Sequence, residues 1–151
     1  MLHETLSPFL GQYTGTARTW FKPDELVDTQ PIALGGEAAL ADRFLRLRYS
    51  STLQGKPYEG ELLLGYDPHQ QRYEGSWIDS FHMGRAILLL TSDFGATTPY
   101  LTSTYFAGEG PRWGWHLELV AEGSARWVRM YNVPPDMAPV LGVEFELAPA
   151  A

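Results

Sequence analysis

Along nearly the whole chain, apolar and aromatic side chains fall at every second position, in runs broken by Gly, Pro, Asn and Asp. Only an extended strand sends alternate side chains to one face, so a period of two describes β-structure with one apolar side. The stretch 43–53 shows it plainly: Leu45, Leu47, Tyr49 and Leu53 share one face, and Arg46 and Arg48 take the other. Residues 58–66 align Leu62, Leu64 and Tyr66. Residues 71–79 align Tyr73, Gly75, Trp77 and Asp79, with Phe81 continuing the series and Asp79 its only charge. Further strands are predicted from Gly11, over about 30–40, and near 84–92, 98–106, 113–121, 124–132 and 139–147.

Turn-forming clusters separate these runs, among them Gly55-Lys56-Pro57, Asp67-Pro68-His69, Gly108-Glu109-Gly110-Pro111 and Pro134-Pro135. Short connections favour an antiparallel meander, and about ten consecutive strands curl and close. The expected fold is therefore all-β, an antiparallel up-and-down closed barrel of about ten strands with a short N-terminal helix. The helix is read from Leu2, Leu6, Phe9 and Leu10, whose spacing suits a lid or plug; Pro8 holds it to a turn or two. Small residues at Gly15 and Ala17 would let the first strand bend close to another backbone. The 84–92 run is apolar on both faces, as in a strand covered by another element or by a subunit partner, which admits a homodimer.

At 151 residues, the chain is expected to form one domain over 1–151, burying roughly two-thirds of its unfolded surface. The net charge of −7 and the scattered arginines supply no phosphate-binding stripe, which argues against nucleic acid and against an anionic bilayer. The longest apolar run, Ala86 to Leu90, is too short to span a membrane as a helix. The absence of cysteine excludes disulfides, thiolate nucleophiles and cysteine-bound metals. The opening Met1-Leu2-His3-Glu4-Thr5 has neither a basic nor an apolar leader region, so a cytoplasmic location is expected.

The segment Leu10-Gly11-Gln12-Tyr13-Thr14-Gly15-Thr16-Ala17 resembles the Gly-x-Trp-x-Gly signature that opens lipocalin-like (calycin) and nitrobindin-like barrels, with Tyr13 in place of Trp. Gly65-Tyr66-Asp67, the run Trp77 to Gly84, and Tyr131-Asn132-Val133-Pro134 resemble a family of bacterial domains of unknown function with that fold. The resemblance implies the barrel and supplies no activity, because one fold hosts many roles. Nitrobindin-like proteins hold haem through a His on a late strand. The last strand here, Val140 to Glu146, has none, which leaves the cofactor unknown.

Within Trp77-Ile78-Asp79-Ser80-Phe81-His82-Met83, Asp79 and His82 stand three apart at a bend, so the carboxylate could orient the imidazole as a general base requires. Alternatively, Asp79 simply caps the turn. Ser80 lacks the surroundings of a nucleophile. His116 and Glu118 share one strand face and could supply two metal ligands, but no third is apparent, and no metal is expected. Arg129 could hold a carboxylate or pair with Glu144 or Glu146 across strands.

Ligand-contact candidates are Tyr49, Tyr66, Trp77, Asp79, His82, Trp113 and Trp115, with the aromatics either lining a pocket or filling the barrel. The expected partner is a small apolar or aromatic molecule. The alternatives are an enzyme using Asp79 and His82 for acid–base chemistry, and a subunit-association module without ligand.

Overall fold

The computed structural model describes residues 1–151. Ten antiparallel strands follow a 3₁₀ turn at Ser7–Phe9: β1 (Gly11–Lys22), β2 (Glu25–Ala39), β3 (Phe44–Leu53), β4 (Lys56–Asp67), β5 (Arg72–Asp79), β6 (Leu88–Thr91), β7 (Tyr100–Tyr105), β8 (Trp113–Glu122), β9 (Ala125–Val133) and β10 (Val140–Pro149). Each strand pairs with its neighbour in sequence, and β1 closes on β10, giving an up-and-down barrel without a free edge. No helix is long and apolar enough to cross a membrane.

Alternation sets the inside. Leu45, Leu47, Leu62, Leu64, Leu90, Leu101, Leu117, Val128 and Phe145 are all at or below 1% exposure, so side chains fill the middle of the barrel. Gly15 is packed against the β10 backbone, where a Cβ would overlap the Glu146 carbonyl, as the small residues of β1 predict.

The predicted short N-terminal helix is a single 3₁₀ turn, with the Phe9 amide donating to the Leu6 carbonyl and the Leu10 amide to the Ser7 carbonyl, and it plugs one end of the barrel as expected. Leu6 and Phe9 are buried, the Thr5 hydroxyl lies 2.7 Å from that of Tyr73, and the Tyr13 hydroxyl donates to the Pro8 carbonyl at 2.8 Å. Arg126 Nε donates to the same carbonyl at 2.7 Å. Pro8 and these tertiary contacts hold the segment too tightly for a second helical turn.

Two expectations are corrected at β6. The strand begins at Leu88 rather than near 84, because 80–87 form a loop anchored on Asp79; Phe81 leaves the inward series with that turn and is 41% exposed. Outside β6, Ile87 and Leu89 are 66% and 71% exposed, so no element of this chain covers the second apolar face. Between β6 and β7 the only matched pair is Thr91 with Thr102, the thinnest seam in the cylinder.

Candidate functional site

At the end opposite the plug, the barrel holds a cavity of about 230 Å³. Two strand irregularities flank it. β1 breaks register with β2 between Thr19 and Lys22, and β10 breaks register with β9 between Leu141 and Val143. Thr19 and Val143 are themselves paired across β1 and β10, so the bulges sit side by side and bend both strands at the cavity. The β1 irregularity turns Trp20 and Phe21 to the mouth, and Gly142 leaves room on the far wall.

Trp77 of β5 and Trp115 of β8 form one wall, with ring centroids 5.1 Å apart and planes within 5° of parallel. Trp77 is 2% exposed and Trp115 is 9% exposed. Tyr105, Met83, Leu88 and Val143 extend the apolar lining, and His82, Asn132 and Thr19 bring the polar groups. Tyr105 donates its hydroxyl to Asn132 Oδ1 at 2.7 Å. No Lys, Arg, Asp or Glu lines the cavity.

His82 reaches the cavity because Asp79 builds the turn that carries it. Asp79 Oδ1 accepts the backbone amides of Phe81 and His82, both at 2.8 Å, and lies 3.0 Å from His82 Nδ1. Ser80 ties the loop to β4: its amide donates to the Glu59 carbonyl at 2.9 Å, and its hydroxyl accepts the Glu59 amide at 3.0 Å. Capping and orienting are thus one arrangement: the carboxylate that closes the turn also holds the imidazole.

The other carboxylate oxygen faces the core. Tyr49 donates its hydroxyl to Asp79 Oδ2 at 2.5 Å and accepts the Trp77 indole N–H at 2.9 Å. Cross-strand register makes this possible. Tyr49, Gly60 and Asp79 stand in one row over β3, β4 and β5, and a Cβ on Gly60 would overlap the Tyr49 ring. Gly60 is thus the gap through which Tyr49 spans two strands to the carboxylate.

Burial, the largest influence on Asp79, pushes its pKa up. The hydrogen bond and charge of His82, then the Tyr49 hydroxyl and the His82 amide, outweigh it and hold the group below the ordinary aspartate value. Tyr49 moves the other way: burial first, then the Asp79 charge and hydrogen bond, raise its pKa well above that of a free tyrosine. Tyr58, nearby and mostly buried, is pushed up to about 12 by burial and by the same carboxylate. The network therefore carries an ionised Asp79 beside a protonated Tyr49.

Of the residues singled out from the sequence, Trp77, His82 and Trp115 line the cavity, and Tyr49 and Asp79 support them from beneath. The structure does not bring Tyr66 or Trp113 there. Tyr66 lies at the plugged end against His3, with ring centroids 4.1 Å apart, and beside Tyr73. Tyr73 and Asp79 stand six positions apart on β5, roughly 20 Å of extended chain. Trp113 has the inward parity of Trp115 but stands at the start of β8, half-buried at the rim beside Tyr105.

Trp20, Phe21, Met83 and Gly142 escape sequence reasoning. A bulge breaks the alternation that would have placed Trp20 and Phe21, and Met83 sits in a loop. On the outer surface, His116 Nδ1 lies 2.8 Å from the Tyr100 hydroxyl, and Glu118 accepts the Tyr131 hydroxyl at 2.9 Å. Arg129 pairs with Glu144 at 2.9 Å, the cross-strand alternative expected for it. A cavity of this volume falls below the roughly 300–1,000 Å³ typical of sites for drug-sized ligands.

Residues 1–137 match the family described as a protein of unknown function, DUF1579. The chain belongs to this family. Among curated proteins, none matches it.

Proposed function

We propose that this DUF1579 member is a lipocalin-like barrel that binds a small apolar or aromatic molecule in the cavity beside Trp77 and Trp115. One observation carries the reading: two parallel indoles wall a space of about 230 Å³ that the otherwise filled barrel leaves open at one end. An apolar cavity of about 150 Å³ is enough for benzene, so this one suits a single substituted ring. Trp77, Trp115 and His82 touch the ligand; Asp79 and Tyr49 are positioning residues that act through His82 and Trp77. Such a site is apolar with few fixed polar groups, as small-molecule pockets are.

The test is titration of intrinsic tryptophan fluorescence with p-xylene, checked by native mass spectrometry and set against Gly142→Leu. A Cβ at Gly142 meets only Met130 O at 3.7 Å and Trp115 Cη2 at 3.9 Å, ordinary contacts, so the larger side chain grows into the cavity. Saturable quenching or shift in the wild type, lost in Gly142→Leu at unchanged melting temperature, is expected. No saturable change, or the same change in both proteins, overturns the proposal.

The 3.0 Å contact of His82 Nδ1 with Asp79 Oδ1 favours a second reading, acid–base chemistry by His82 on the bound molecule. A cavity ligand converted by the wild type and left unchanged by His82→Ala supports it. Equal conversion by both proteins removes His82 as the base.

A further inference from the structure

The cavity also specifies what its occupant must offer in hydrogen bonds. Asp79 is buried and ionised, and an ionised carboxylate only accepts. At 3.0 Å from Oδ1, His82 Nδ1 must therefore carry the proton, which leaves Nε2 of a neutral ring with a bare lone pair. Nδ1 and the backbone amide are both spent on the carboxylate, so Nε2 is the ring nitrogen that His82, a residue of the cavity wall, has left unengaged.

Asn132 is specified in the same way. Its Oδ1 accepts the Tyr105 hydroxyl at 2.7 Å, so its amide nitrogen remains as a donor. Thr19, 4% exposed, is the one buried hydroxyl in the lining. With no cationic or anionic side chain on the wall, and with Asp79 already balancing any charge on His82, the site offers no counter-ion to a carboxylate, phosphate or ammonium ligand. What remains is a neutral ring bearing a proton to give.

We propose that the ligand is a phenol: one substituted aromatic ring in van der Waals contact with the Trp77 and Trp115 wall, its hydroxyl donating to His82 Nε2. This inference rests on the apolar-ligand reading and narrows it. A hydroxyl suits the site because it donates to Nε2 while its oxygen still accepts, which Asn132 and Thr19 can meet. Tyr49 and Asp79 fix the imidazole in the required tautomer, so selectivity originates in a carboxylate that the ligand never touches.

The experiment compares p-cresol, p-xylene and 4-methylanisole, three ring compounds of nearly one size, by calorimetry and tryptophan fluorescence at about pH 8. Only the first can donate. The wild type is expected to bind p-cresol at least about tenfold more tightly than either of the others, and His82→Phe to erase that preference. In wild-type protein, the ¹⁵N resonance of His82 Nε2 is expected to move upfield with p-cresol and to stay in place with p-xylene. That measurement decides the question even if His82→Phe fails to fold.

Equal affinity for the three compounds, or a stationary Nε2 resonance, overturns the phenol assignment and leaves the apolar-ligand reading standing. Failure of all three to bind overturns both.

Discussion

Replacing Tyr49 by Phe removes a single oxygen, and the structure indicates how much that oxygen carries. Tyr49 is 3% exposed, so no solvent replaces what is lost. The hydroxyl donates to an ionised carboxylate at 2.5 Å, a class of bond that contributes about 1.5–3 kcal/mol. It also accepts the Trp77 indole N–H at 2.9 Å, and an orphaned buried donor costs about 1–3 kcal/mol. Together the two give a loss of about 2.5–6 kcal/mol. For a chain of this length, each kcal/mol shifts the melting temperature by about 2–4 °C, so Tyr49→Phe is expected to melt about 5–24 °C below the wild type.

Urea unfolding followed by tryptophan fluorescence measures the loss, and Tyr100→Phe is the control. Its hydroxyl also makes a 2.8 Å bond, to His116, but on the outer face where water can substitute, so it should cost less than about 1 kcal/mol. If the two variants lose equal stability at unchanged m-value, the Trp77–Tyr49–Asp79 network does not anchor this end of the barrel.

Three further outcomes are expected. Because the folded state lowers the pKa of Asp79, its stabilisation is complete above the ordinary unfolded value of about 3.9 and drains away as pH falls through the folded value. The melting-temperature gap between wild type and Asp79→Asn should thus be constant near neutrality and narrow as the pH falls below about 3.9; a gap that does not narrow in acid contradicts this. Leu6→Ala, at a fully buried position in the plug, should cost about 2–5 kcal/mol by chemical denaturation, and a loss under about 1 kcal/mol would show that the plug is not part of the core. In hydrogen exchange, amides turned to the β6–β7 seam should open before those shared by β3 and β4, given one matched pair against ten; uniform protection would refute it.

Much of the barrel is legible in the chain because alternation is a local property. The runs at 43–53, 58–66 and 71–79 lie within three residues of β3, β4 and β5 at each end, and all ten predicted strands have counterparts. Errors gather where a side chain overrules the period. Asp79 captures two amides and ends β5 before Phe81, so the apolar run that follows yields only the four residues of β6. Bulges at Thr19–Lys22 and Leu141–Val143 change which face Trp20 and Gly142 present. Among the site residues, Trp77 and Trp115 follow from parity, but Trp113 has the same parity and lies at the rim. Parity gives the face of a strand and says nothing about depth along the barrel.

By itself, then, the amino-acid order determines strands, their inward faces and a strand count that closes on itself, since each depends on neighbours one or two positions apart. It also determines that Asp79 and His82 share a turn. Only the tertiary structure decides that the middle of the cylinder is filled and one end is open, because that depends on which side chains meet across strands far apart in sequence. The row of Tyr49, Gly60 and Asp79, the stacking of Trp77 on Trp115, and the pairing of Thr19 with Val143 beside two bulges are all products of register. Register is a property of chain segments brought together, and the cavity exists only where those registers break.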